Sequence, residues 1–332
     1  MKTRRKFIGK LAAGVVSAYS LPAYNLIANP MQSEHMSKME VKKKINIGII
    51  GAENSHTRGY GKLFNIDKQF PGVEVKYVWG ETEEFAKDAM ERGGIPNMVK
   101  DPNEMLGKID ALIVDHRHAK YHLDPALPFV EAGIPSFIDK PFCYRADEGL
   151  DFLRIAREKG TPVSSYSGVA HSYGALDMKE QVAEMGDINH VVWYGPVDIE
   201  SKWGGIFFYG VHIIQPMMVI FGEDIDRVRV SRNGKNATAS IAYQNGMMIT
   251  LILIDKFYGW KTVIELDKGL FELKSRVEEP DPPKHYVDMV EMFKTGKEPR
   301  DHQRILNCVS VLEALERSVI TQKWEKVNYL II

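Results

Sequence analysis

The 332-residue sequence predicts a two-domain α/β protein, with a doubly wound parallel sheet in its first half and an α+β second half built on a large, mainly antiparallel sheet. Length is the first reason, because one hydrophobic core usually serves about 100–200 residues before a chain splits. Alternation is the second: residues 45–165 interleave short β-branched runs with helical patterns, the rhythm of a parallel sheet with helices on both faces. The third is the change beyond residue 166, where strand-like runs follow one another across Asn233-Gly234 and Asn245-Gly246, dipeptides that close hairpins. Hydrophobic residues at 44% and charged residues at 26% suit globular cores and exclude a disordered chain. A net charge of −1 with no long basic run in the mature region argues against nucleic acid as a partner. Cys143 and Cys308 are too few for a disulfide framework and are expected to be unpaired, buried thiols.

Residues 1–30 read as an address. Lys2, Arg4, Arg5 and Lys6 precede an apolar stretch, Phe7 to Ile27, that ends near Asn29-Pro30. The order Thr3-Arg4-Arg5-Lys6-Phe7-Ile8 resembles a twin-arginine export signal, with a Sec signal or an uncleaved anchor as the alternative. Residues 31–43 are polar and Lys-rich, as a linker would be. The expected location is exported, periplasmic, with no stable membrane span once the signal is removed.

The folded part starts with Ile45-Asn46-Ile47-Gly48-Ile49-Ile50-Gly51, a buried-strand pattern ending in a turn. A second strand, Val73 to Trp79, leads through Glu81-Thr82-Glu83-Glu84 into a helix stopped at Gly93-Gly94. Asp101 to Glu104 reads as a capped helical turn and Ala111 to Val114 as another buried strand. A helix closing at Gly133, the strand Ser136 to Ile138, a helix Ala146 to Lys159 closed by Gly160, and the strand Pro162 to Ser165 complete the half. This is a Rossmann-like domain over residues 44–165, and its ligands are expected at the carboxyl ends of the strands.

The order Ile47-Gly48-Ile49-Ile50-Gly51, Asp110 to Val114, His122 and Asp139-Lys140-Pro141 resembles the Gfo/Idh/MocA (glucose–fructose oxidoreductase/inositol dehydrogenase) family over nearly the whole mature chain. In that family a Glu-Lys-Pro tripeptide follows the fifth strand, and its lysine reaches both the nicotinamide ribose and the substrate hydroxyl. Lys140 is the matching residue and Asp139 departs conservatively from the glutamate. An ammonium beside a hydroxyl can polarise it and assist proton transfer.

The family's glycine-rich turn resembles G-x-G-x-x-G, whereas Gly51-Ala52-Glu53-Asn54-Ser55-His56 keeps only the first glycine. Glu53 would bring a carboxylate near a pyrophosphate, with Arg58 or a protonated His56 as the neutralising groups in view. The resemblance makes Gly51, Asn54, Ser55 and His56 the candidate turn contacts. Glu81 stands near the position of the family's ribose-binding acid, where it would favour NAD over NADP; as a residue type it also suits a helix N-terminus. His116, His118 and His122 fall where the family places residues beside the nicotinamide. No metal is assigned, and Asp115, His118 and His122 are the candidate ligands if one binds, His118 and His122 being four apart.

Beyond residue 166, strand-like runs occur at 190–194, 227–231, 237–243, 247–254 and 260–266, and residues 282–330 return to helix. The segment Trp203 to Gln215 is similar to the family's G-G-x-x-x-D-x-G-x-H-x-x-D helix. Gly210 and His212 match, while Phe208 and Gln215 stand where the family has aspartates. His212 is the candidate general base, Tyr209 a neighbouring donor, and His171 and Trp203 further substrate contacts. The alternative for His212 is a core histidine among Phe207, Phe208 and Tyr209.

The resemblance therefore implies an NAD(P)-dependent oxidoreductase acting on a sugar, cyclitol or glycoside hydroxyl, catalysed by Lys140, His212 and Tyr209. Export implies a tightly held, recycled cofactor, because free NAD is scarce outside the cytoplasm, and Glu81 makes NAD rather than NADP the expected form. Some exported relatives cleave glycosides by such transient oxidation. A homo-oligomer is permitted by the sheet. Two other classes stay open: a carbohydrate-binding or regulatory protein without dinucleotide, and a metal-assisted lyase or isomerase on a keto-sugar.

Overall fold

A computed structural model describes residues 44–255 and 259–332, so the signal and linker lie outside the described residues. Strands β1 (Ile45–Ile50), β2 (Val73–Trp79), β3 (Asn97–Met98), β4 (Ala111–Val114), β5 (Ser136–Ile138) and β6 (Val163–Ser164) form one sheet in the order β3-β2-β1-β4-β5-β6. All its pairings are parallel. Both faces are covered, which is why β4 and β5 are buried at every position. The covering helices are α1 (Ser55–Gly61), which continues as a π-helical turn over Lys62–Ile66, α2 (Glu83–Gly93), α3 (Leu123–Glu131) and α4 (Ala146–Lys159). Strand order reverses between β1 and β4, so the loops at their carboxyl ends part and leave a groove.

The second half contributes α5 (Tyr173–Met185), β7 (His190–Pro196), α6 (Ile206–Phe221), β8 (Ile225–Asn233), β9 (Asn236–Tyr243), β10 (Met248–Ile254), β11 (Lys261–Leu266), β12 (Gly269–Leu273), α7 (Lys284–Thr295), α8 (His302–Thr321) and β13 (Glu325–Lys326). Its sheet runs β12-β11-β7-β10-β9-β8-β13, antiparallel except where β10 lies parallel to β7. Alternate residues Ile249, Leu251 and Leu253 of β10 join Ile213 and Met217 of α6 and Leu312 of α8 in one core. That core continues into the first half through Leu112, Phe142 and Leu153.

Helix α7 returns to the first sheet, where Met289, Met292 and Phe293 pack with Ile47, Tyr60 and Phe137. This return carries His285 and Tyr286 to the mouth of the groove. Cys143 and Cys308 are both free and buried. No helix among the described residues is long and apolar enough to cross a membrane.

Candidate active site

A cleft of about 490 Å³ opens at the carboxyl edge of the parallel sheet, with His56, Tyr60, Asp139, Lys140, His212 and Tyr286 in its wall. Its first boundary is the turn after β1. Gly51 adopts φ +106°, and a Cβ there would lie 2.7 Å from the backbone carbon of Asp115. Only glycine lets the β1 and β4 loops close on each other this tightly.

Glu81 is placed differently from a plain helix-start acid, because Thr82 is the residue that caps α2 by accepting the Phe85 amide. The Glu81 carboxylate is thereby free to reach the turn, where Oε2 accepts the amides of Ala52 (2.8 Å) and Glu53 (2.9 Å). Its Oε1 pairs with His116 Nδ1 at 2.8 Å. Burial opposes ionisation, but the His116 and amide bonds outweigh it and bring the carboxyl down to about 2. Glu53 is shifted the other way, upward, by its own burial and by the Glu81 charge, with Arg117, Lys202 and His116 partly offsetting. The cations around Glu53 are thus Arg117 and Lys202; Arg58, the neutralising group expected from the sequence, pairs with Asp88 at 3.4 Å.

Behind the turn lie two buried carboxyl groups. Asn54, which caps α1, donates to Asp115 Oδ1 at 2.6 Å and to Asp139 Oδ2 at 3.3 Å. The Thr57 hydroxyl lies 2.8 Å from Gly51 O and 2.7 Å from Asp115 Oδ2. Burial and the neighbouring Asp139 charge hold Asp115 well above the carboxylate range, with the Thr57 hydroxyl and Lys140 partly offsetting them. Burial also opposes ionisation of Asp139, but His56 and Lys140 beside it prevail and keep it below that range. His56 Nδ1 is 3.0 Å from Asp139 Oδ2, and the His56 side chain is 41% exposed.

Lys140 is only 9% exposed, its nearest carboxylate oxygen is Asp139 Oδ2 at 3.9 Å, and no described residue hydrogen-bonds its ammonium. Across the cleft, His212 Nδ1 lies 2.7 Å from Ser167 Oγ, which also accepts the Val169 amide at 3.2 Å. Gln215 accepts the Ser167 amide at 2.5 Å. Where an acid might have oriented the histidine there is a serine, itself held by the residue at the second lost aspartate position. Burial, then the positive Lys140 and His56, depress His212 well below its usual range. Tyr209 flanks the His212 ring at a centroid distance of 5.5 Å. Arg117 lies over both Trp203 and Phe208, at 5.1 and 5.5 Å, and Phe208 also lies 6.0 Å from the Lys140 ammonium.

Several sequence expectations are placed differently by the structure. His118, His122 and Asp115 do not converge as metal ligands: among the described residues the group whose ligand atoms approach one another is His56, Asp115 and Asp139. His122 is fully buried with Nε2 2.8 Å from His116 O and Nδ1 3.3 Å from Phe142 O; a neutral ring carries one N–H, and the shorter contact makes His116 O its acceptor, so the ring braces its own loop inside the protein rather than facing the cleft. Burial drops it to about 4. His118 caps a short 3₁₀ turn by accepting the Lys120 amide and packs edge-on against Tyr144. His171 also turns away from the cleft, bonding Asp288 at 2.7 Å and stacking on Tyr166. Ser55 is exposed at the start of α1. The residues missed in sequence are Ser167, Arg117, Tyr60, His285 and Tyr286. Of these only Arg117, inside the histidine-rich run, carried a local signal.

Comparison with known proteins agrees with this geometry. Residues 45–167 match the Gfo/Idh/MocA model, described as an oxidoreductase family with an NAD-binding Rossmann fold. An uncharacterized oxidoreductase of Escherichia coli K12, YhhX, is 26% identical over 196 residues, 54% of each chain. The chain thus matches about half the length of this curated relative. The apo scyllo-inositol dehydrogenase of Lactobacillus casei superposes with a TM-score of 0.73 at 14% identity, over 86% of this chain and 99% of that one. The myo-inositol dehydrogenase of the same organism, in complex with NAD(H) and myo-inositol, gives 0.73 at 13% identity, over 87% and 98%. The first half is thus similar to an oxidoreductase family with an NAD-binding Rossmann fold, and the whole shares the two-sheet fold of these solved structures.

Proposed function

We propose that this protein is an exported, nicotinamide-dependent oxidoreductase acting on a hydroxyl of a sugar, cyclitol or glycoside, with a dinucleotide that stays bound and is recycled. The observation that carries the reading is the placement of Lys140, 9% exposed and with Asp139 Oδ2 at 3.9 Å as its nearest carboxylate oxygen, in the same cleft wall as His212. An ammonium that faces the cleft, with no hydrogen bond from a described residue, has donors to offer a ligand oxygen.

The groove suits a dinucleotide on three counts: an acid, Glu81, at the end of β2; a turn where Gly51 leaves room only for backbone; and Lys140 at the far end. A pyrophosphate would compete with Glu81 for the amides of Ala52 and Glu53. When bound, the nicotinamide supplies the hydride donor or acceptor.

The chain's own residues handle the oxygen and its proton. Lys140 donates to the reacting oxygen and exchanges the proton with it, and Asp139 and His56 extend from Lys140 toward solvent as the path by which that proton leaves or returns. The Ser167 hydroxyl accepts the Val169 amide and has its own proton to give to Nδ1 of His212, an arrangement that leaves the ring proton on Nε2. His212 then serves as a neutral donor to the reacting oxygen rather than as the expected base. The aromatic wall of Tyr60, Tyr166 and Tyr286 suits the apolar face of a sugar or cyclitol ring.

The test is mass spectrometry and absorbance of whatever the purified mature protein releases on denaturation. Stoichiometric NAD(H) or NADP(H) supports the proposal. No release, and no binding when either is added, sinks it and favours a second reading, a carbohydrate-binding protein without dinucleotide, for which the internally occupied turn amides speak.

A further inference from the structure

A second cavity, of about 320 Å³, lies beside α8 and adjoins the cleft at Ser172. Lys179, Lys284, Arg300 and Arg304 line it, with Asp301 as its one acidic residue. Asp301 is committed to capping α8, accepting the Gln303 amide at 2.7 Å. Two of the cations have partners: Lys284 bonds Asp288, and Arg304 Nε lies 3.6 Å from Glu223 Oε1. Arg300 has none. It is 7% exposed, and its buried Nε and Nη2 atoms lack any hydrogen-bond partner.

That is an unusual state for a guanidinium. It stays charged at any physiological pH, and an unpaired buried charge costs several kcal/mol in general. The planar fork of donors matches an oxyanion, which it can bind with two parallel bonds. Position adds to this, because Arg300 immediately precedes the twenty-residue helix α8, whose N-terminal end carries partial positive charge. Charge, geometry and the orphaned donors all call for the same kind of occupant. The space is larger than one tetrahedral ion requires, since a water fills about 30 Å³.

We propose that this cavity is a binding site for a phosphate group, held by Arg300 with Lys179 and Arg304 at its rim, and separate from the catalytic cleft. Ser172 lines both cavities, so a single residue's width divides the bound charge from the cleft.

Calorimetric titration of the mature protein with inorganic phosphate and, separately, with glucose 6-phosphate, against potassium chloride at matched ionic strength, tests this. Saturable binding of either supports the site. Equal affinities identify the free ion as sufficient, and tighter binding of the sugar phosphate identifies a phosphorylated small molecule. Arg300→Met should weaken binding at least about tenfold. Because that variant alters a buried position, Lys179→Met, at an exposed one, is the companion, with an expected loss of about threefold. Absence of saturable binding to both probes, or unchanged affinity in folded Arg300→Met, overturns the proposal.

Discussion

Nδ1 of His212 and the hydroxyl oxygen of Ser167 lie 2.7 Å apart, and the Val169 amide fills another position on that oxygen. Ser167 therefore fixes the orientation of the ring. Ser167→Ala should lower kcat by roughly tenfold to a hundredfold while leaving KM near its original value, the scale seen when a supporting hydrogen bond to a functional histidine is removed. Ser167→Thr, which restores the hydroxyl, should recover most of the loss. A fall in KM affinity alone, with kcat intact, would show that Ser167 serves only the fold.

Lys140→Met removes the donor and keeps the length. Turnover should fall by roughly 10²-fold or more, and thermal unfolding should change little, because the ammonium faces the cleft and no described residue hydrogen-bonds it. Parallel measurement of activity and Tm checks both halves. Full activity would remove Lys140 from the chemistry.

Glu81 gives a pH signature. Its carboxyl sits at about 2 in the folded protein against an ordinary 4.5, so the folded state holds the ionised form more firmly than the unfolded chain does. Its contribution is complete above pH 4.5 and is lost as pH falls from there toward about 2. Denaturation midpoints measured across that window should drop less steeply in Glu81→Gln than in the wild type. The same variant should relax preference for NAD over NADP by removing a charge that repels a 2′-phosphate. Parallel slopes in the two proteins would remove Glu81 from the acid response.

His122 acts in the neighbouring window. Burial places it at about 4 against 6.5, so the unfolded chain takes up a proton first and stability declines as pH falls from 6.5 toward 4. His122→Gln, which cannot titrate, should flatten that part of the profile while lowering Tm at pH 7 through the lost bond to His116 O. An unchanged Tm would show that the bond carries no load.

Much of the fold was legible because it rests on local chemistry. The runs Val73 to Trp79, Ala111 to Val114 and Ser136 to Ile138 are apolar or β-branched enough to declare buried strands, and the helix from Ala146 ends at Gly160 in a left-handed conformation that glycine accepts readily. Helix α5 was hidden because its buried positions are only Ala175 and Asp177, too little for an apolar stripe. Strand β12 is exposed at four of its five residues and has almost no pattern to read. At the site, Lys140 and His212 were visible through sequence order, whereas the roles of Glu81 and His122 were not. Glu81 works through backbone amides 28 and 29 residues away, and His122 through a backbone carbonyl, which no residue type announces.

The bonds from Ala52 and Glu53 to Glu81 make the turn self-sufficient. A turn of this kind leaves no amide pair starved of an acceptor, so the domain can complete its fold with or without a guest in the groove. The tethered carboxylate is also present at high effective concentration, and any incoming anion must outcompete a rival that never diffuses away. Exchange at such a turn becomes a substitution between two acids, one internal and one borne by the guest, and its speed is governed by how readily Glu81 lets go.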